Sequence, residues 1–384
     1  MPLRPILLTL ACAVFLVGAV EFMLAPMLEP LADAFAASPT QAAGLVSAYA
    51  LAYAVAAPFA GRLSDRFGRR RVLLPALLLS AIDTAALTLA PTLEVAIALR
   101  LFGGLASAAL IPGAFALVAD LVPADRRTGA MGGVMLGMTA GIAAGPALAG
   151  VLTEAWGWRA PFLATSGAAL ALFAVALKVL PATHPAADGA ARLTFNRLAE
   201  PQLARPLLAK AGWLGAAVAG LLLSGEVLRL RHDLGPAAIG GATAVFGLGL
   251  GIGNLAAGRL DRALGGAGPA LLAALALLMT AIGGFLLLPL PLAGTLACLG
   301  LWGAALGIAA PASGSLLAQR AGPDTGTVFA LSESLNNLAL MALMPLAATL
   351  LATHGAAHAA LLLLGLQAVA TAAMLPDRRP YPTP

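Results

Sequence analysis

Apolar runs of about 20 residues recur twelve times along this chain, separated by short polar segments. A helix needs about 20 apolar residues to cross the roughly 30 Å hydrocarbon core of a bilayer. No water reaches the backbone there, so each run closes its own hydrogen bonds as a helix. The runs lie near residues 6–28, 41–61, 71–90, 94–119, 129–153, 159–180, 207–228, 236–258, 269–288, 292–318, 325–351 and 355–375. Only 10% of the 384 residues are charged, against about 25% in soluble domains. The chain therefore reads as an all-α, multi-pass membrane protein. Its net charge of +5 does not point to nucleic acid, because the arginines sit in loops between the runs. Cys12 and Cys298 lie inside apolar segments, so neither a disulfide framework nor a metal-ligand spacing is present. The first run is followed by Glu21 and two prolines rather than a small-residue cleavage site, and reads as a retained first span.

Loop charges set the orientation. With the N-terminus inside, 18 of the 22 Lys and Arg residues fall on the cytoplasmic side. Arg159, Arg229 and Arg231 fall outside, and Arg100 lies within a span. The positive-inside bias thus places both termini in the cytoplasm of a plasma (inner) membrane. The longest polar stretch, Pro181 to Arg205, falls midway. It divides the chain into residues 1–180, a cytoplasmic linker at 181–206, and residues 207–384. A repeat supports the division. Gly258-Arg259-Leu260-Asp261-Arg262-Ala263-Leu264-Gly265 echoes Gly61-Arg62-Leu63-Ser64-Asp65-Arg66-Phe67-Gly68 with one residue deleted, and each copy follows the second run of its half. Two parallel six-span halves are one architecture of secondary transporters.

The loop from Gly61 through Asp65, Arg66, Gly68 and Arg69 to Arg71 resembles the pattern that marks the major facilitator superfamily. Further stretches fit. Ala98-Leu99-Arg100-Leu101-Phe102-Gly103-Gly104 resembles the fourth-span motif of proton-coupled exporters, with Gly103 where Gln is usual. Gly141 through Gly145, Pro146 and Gly150 resembles the fifth-span antiporter motif, with Ala149 replacing one glycine. Glu21-Phe22 with Pro26 and Pro30 resembles the first span of drug and sugar exporters. The resemblance covers the whole chain and implies two pseudo-symmetric six-helix bundles. It implies a monomer that exports a small drug-like molecule or metabolite by proton antiport, using the proton gradient and no cofactor. Lipid, protons and the small molecule are then its only partners, and it is no enzyme. Uptake, or sugar or amino-acid export, stands as the alternative within transport. A non-transporting membrane sensor stands as the alternative of another class.

Specific residues carry these expectations. Asp65 is expected to open the third helix, where the helix dipole favours a carboxylate. The resemblance pairs Arg69 with an acid ending the fourth helix, here Asp120, as a gate. Gly133, Gly137, Gly141 and Gly145 form a stripe at spacing four, which lets membrane helices approach closely. The alternative to simple packing is a pivot between the halves, bent at Pro146. Glu21 and Arg100 lie at matched depth, and a buried charge there needs a partner or a wet cavity. A carboxylate stays charged beside Arg100 and takes a proton once the two separate. Asp83 lies midway along the third span, as a proton site or an interhelical bond. Asn336 and Asn337, beside Glu333, form a polar band in the eleventh span, and Trp302 is a cavity aromatic or a core residue.

Overall fold

The structure, a computed structural model, describes residues 3–181, 200–321 and 325–378. Among them, twelve helices of 19 residues or more follow the twelve apolar runs. They are α1 (Leu3–Phe22), α4 (Gly44–Phe67), α5 (Arg69–Leu87), α6 (Leu93–Leu121), α7 (Ala124–Trp156), α8 (Arg159–Val179), α9 (Pro201–His232), α10 (Pro236–Leu264), α11 (Ala267–Leu287), α12 (Leu292–Ala321), α13 (Thr325–His354) and α14 (Ala356–Met374). Two short helices, α2 (Leu28–Ala34) and α3 (Pro39–Ala42), lie between α1 and α4. Eleven segments are long and apolar enough to cross a membrane. The remaining long helix, α5, carries Arg69, Arg70, Arg71 and Asp83 on 19 residues.

Three boundaries differ from the sequence reading, each for a local reason. The first span does not run to residue 28; α1 ends at Phe22. Pro26 has no N–H to return to Phe22, whose carbonyl instead accepts from Ala25 at 3.2 Å. The helices α7 and α9 outrun their apolar stretches, because a helix continues past the hydrocarbon when nothing stops it. For α9 the start is Pro201, with the proline at a position where its missing N–H costs nothing. Residues 201–206 of the expected linker are therefore helical, and residues 182–199 lie outside the described ones.

Asp65 is the third case. It lies in the last turn of α4, not at the start of α5, because the helix is stopped only at Gly68, whose φ is +91°. That angle favours glycine. The repeat behaves alike: α10 ends at Leu264, Gly265 takes φ +82°, and α11 starts two residues later.

The chain forms two compact units, Met1–Ala190 with Gly235–Gly240, and Ala191–Leu234 with Gly241–Pro384. In the first, α1 packs on α7, α4 on α6, and α5 on both α6 and α8. Its core runs from Leu10, Val14 and Val17 through Leu73 and Leu77 to Leu110 and Leu117. In the second, α9 packs on α13 and α14, and α11 on α12 and α14. Phe246, Phe285 and Trp302 meet edge to face in its core. Trp302 is itself fully buried.

Candidate functional site

Arg100 sits two turns into α6 and is 1% exposed. Such a charge needs compensation inside the protein. The carboxylate set against it is Asp83 of α5, itself 2% exposed, with Nη1 and Oδ2 3.7 Å apart. The guanidinium also lies over the ring of Tyr49 of α4, 4.5 Å from its centroid, a favourable cation–π geometry. Three helices thus converge on one charge. Sequence reasoning left Asp83 as a proton site or an interhelical bond and set Glu21 at the depth of Arg100; the structure sets Asp83 against Arg100 as the counter-charge. Glu21 lies half-buried in the last turn of α1, and its charge acts on the same cluster through Tyr49.

Gly103 makes this pair possible. A Cβ at residue 103 would overlap the Asp83 carboxylate. Where Gln is usual, this chain has no side chain, and Asp83 occupies the space. At 3.7 Å, Nη1 and Oδ2 face each other as charges beyond direct hydrogen-bond distance. Among the described residues, neither Asp83 oxygen and neither Nε nor Nη1 of Arg100 has a hydrogen-bond partner. Removing one member of a buried pair typically costs about 3–5 kcal/mol, because the other is left bare. Ser107, beside the Tyr49 hydroxyl, also lines a cavity of about 10 Å³ with Ser80, Thr84 and Thr165. That is about the room one water requires.

The turn after α4 carries a second cluster. Arg69 Nε lies 3.2 Å from Asp120 Oδ2 at the end of α6, joining the residues that the loop pattern couples. Arg70 donates to the Leu177 carbonyl at 2.6 Å, satisfying the C-terminal end of α8. Arg66 stacks over Phe67, 5.5 Å from the ring centroid, and Gly61 lies two turns from the end of α4.

On α7, Gly137, Gly141 and Gly145 meet the backbone of α1 at Ala11, Phe15 and Ala19, so close that a Cβ would collide. Gly133 meets nothing within 4 Å. Gly150 meets the backbone of Pro236 and Ala237, residues that belong to the first unit. The helix runs unbroken through Pro146. The stripe is thus a close-packed seam inside one unit.

The second unit holds a polar cluster that sequence reasoning half missed. Lys210 of α9, counted among the loop cations, is 6% exposed. Its Nζ donates to Ser332 Oγ at 2.9 Å and to Glu333 Oε1 at 3.4 Å, both on α13. Asn336 and Asn337 bond back to Glu333. The seventh apolar run, residues 207–228, already contained Lys210, and the helix start at Pro201 sets it deeper still. At the end of the same unit, Asp377 Oδ1 accepts from Arg205 at 2.8 Å and from Arg320.

Sequence and structure comparisons place the chain in a family. The profile of the Major Facilitator Superfamily matches residues 10–230. The uncharacterized MFS-type transporter YceJ of Bacillus subtilis is 30% identical over 65% of this chain and 65% of its own length. The chloramphenicol resistance protein of Streptomyces lividans is 31% identical over 68% of this chain and 69% of its own. The match thus spans about two thirds of each relative. Among solved structures, a bacterial homolog of the human lysosomal transporter Spinster superposes with a TM-score of 0.79 at 17% identity, covering 98% of both chains. With more than half its length matched by the profile and its fold shared, the chain belongs to the Major Facilitator Superfamily of multi-pass membrane transporters.

Proposed function

We propose that this transporter expels a small molecule in exchange for protons, and that Asp83 is the carboxylate that exchanges them. The observation that carries the reading is the buried Asp83–Arg100 pair, 3.7 Å apart. A shift of α5 against α6 would strip Asp83 of its counter-charge in a dry site, and protonation then removes the bare charge. Return of Arg100 releases the proton. Tyr49 and Ser107, the latter lining a small and mainly apolar cavity, supply hydroxyls along which a proton can leave. The direction of transport rests on the fifth-span stretch and on the relative named for chloramphenicol resistance. The energy source in this reading is the proton gradient, with no cofactor, and the transporter works as a monomer in the inner membrane.

The test uses purified protein in proteoliposomes with an imposed pH gradient and chloramphenicol as the first compound offered. Wild type should move it faster with the gradient than without. Asp83→Asn should lose that response, with size-exclusion profiles checking that it still inserts and folds, since the amide keeps the shape but removes the counter-charge of Arg100. Glu21→Gln should retain most of it. A gradient response that survives in Asp83→Asn and vanishes in Glu21→Gln returns the role to Glu21.

A further inference from the structure

Lys210, Ser332, Glu333 and Asn336 are arranged with the cation behind and the anion in front. Lys210 lies on the buried side of the seam between α9 and α13, its side chain 7% exposed. Ser332 Oγ, itself fully buried, holds its Nζ. The apolar residues Leu203, Leu207 and Val328 close the seam a turn or two nearer the helix starts. Glu333 is the reverse: its side chain is 44% exposed. It stands eight residues into α13, about 12 Å along the axis. An exposed carboxylate at that depth faces water rather than hydrocarbon.

The amide of Asn336 adds to this face. Asn336 is 6% exposed, and its Nδ2 donates to Glu333 Oε1 at 3.3 Å. That bond fixes which end of the amide is which, because a flipped amide would set oxygen against oxygen. The remaining Oδ1 is buried and, among the described residues, has no hydrogen-bond partner. A buried acceptor left without a donor is costly. A purely structural acid looks different in this same unit: Asp377, with its side chain 6% exposed, is enclosed between Arg205 and Arg320. At Glu333 the protein satisfies one side of the carboxylate and leaves the other open.

We propose that Glu333 and Asn336 form a subsite for a cationic group that carries N–H donors on the transported molecule. Lys210 pairs with Glu333 from behind, its Nζ already engaged by Ser332 and Glu333. The carboxylate supplies charge, and Asn336 Oδ1 accepts the N–H. The inference rests on the chain being a small-molecule exporter but not on its coupling to protons.

The experiment is equilibrium binding to purified protein in phosphatidylcholine nanodiscs, whose headgroup has no N–H. Two dyes of equal charge are compared: rhodamine 6G, which carries N–H donors, and rhodamine B ethyl ester, which carries none. Wild type should bind rhodamine 6G the more tightly. Glu333→Gln should weaken both dyes, by about tenfold for rhodamine 6G. Asn336→Ala should weaken rhodamine 6G by about fivefold and leave the ester unchanged. Asn336→Ala carries the test alone if Glu333→Gln does not fold. Equal binding of the two dyes by wild type overturns the proposal, as does rhodamine 6G binding unaltered in Asn336→Ala. Displacement of the dye by phosphatidylethanolamine at matching affinity assigns the face to a lipid headgroup and overturns it as well. Dye binding is read at equilibrium with no pH gradient, so a failure of the proton-exchange reading leaves this result standing.

Discussion

At residue 103 a missing side chain leaves room that the Asp83 carboxylate fills, and Arg100 one turn away is its counter-charge. The three residues act as a unit, so their substitutions should not add. Gly103→Ala sets a Cβ against the carboxylate and pushes it off Arg100. Overpacking of this kind costs about 1–3 kcal/mol. The expected result is a lower melting temperature in detergent together with loss of the pH-gradient response. The double change Gly103→Gln with Asp83→Ala should recover the melting temperature, because a neutral amide can then meet Arg100. It should not recover coupling, because no carboxylate remains. Normal melting and normal coupling in Gly103→Ala would show that the carboxylate does not need this space. The sequence displays the glycine where Gln is usual, but not its consequence, since Asp83 lies on a different helix and the contact exists only after α5 packs on α6. Lys210 is a similar case. Its burial follows from where α9 starts, and the charged residues around Arg205 hide that start.

Among the elements, α7 shows how a pattern can be read correctly while its purpose stays open. The glycine stripe is visible as a spacing of four, and close helix approach follows directly. Which helix approaches is not in the spacing. The structure gives α1, at Ala11, Phe15 and Ala19. A seam predicts a graded effect along the stripe. Gly141→Val should reduce the folded yield and the melting temperature, because the Phe15 and Ala19 backbone has nowhere to go. Gly133→Val should be neutral, with nothing within 4 Å to meet. Size-exclusion profiles and thermal unfolding of the two variants check this. A Gly141→Val protein that folds normally but does not transport would instead make the stripe a moving part. The Arg69–Asp120 bridge was legible for another reason: the loop pattern names both partners, and Gly68 fixes the turn between them. The place of Asp65 was not, because helix ends are set by the stop residue, here three positions later.

For the whole molecule, the twelve runs and the repeat gave the architecture, since hydrocarbon leaves a chain so few choices. Orientation rests on charge. Taking Lys210 out of the loop cations leaves 17 of 22 on one side, against Arg159, Arg229 and Arg231 on the other. The bias survives the correction because it is carried by many loops rather than by one residue. It predicts which ends of the helices a membrane-impermeant thiol reagent reaches. Ser38 and Thr92 cap α3 and α6 through their side chains, so cysteines there would cost about 1 kcal/mol each in lost caps. Ala34 and Glu94 are exposed near the same ends and avoid that cost. In a background with Cys12 and Cys298 replaced by alanine, Ala34→Cys and Glu94→Cys should label in intact cells. Ala263→Cys, exposed at the end of α10 beside Arg262, should label only after the membrane is opened. Labelling of Ala263→Cys in intact cells would invert the orientation. The Arg69–Asp120 bridge would then face outward, and the direction of proton flow through Asp83 would have to be argued again from the other side.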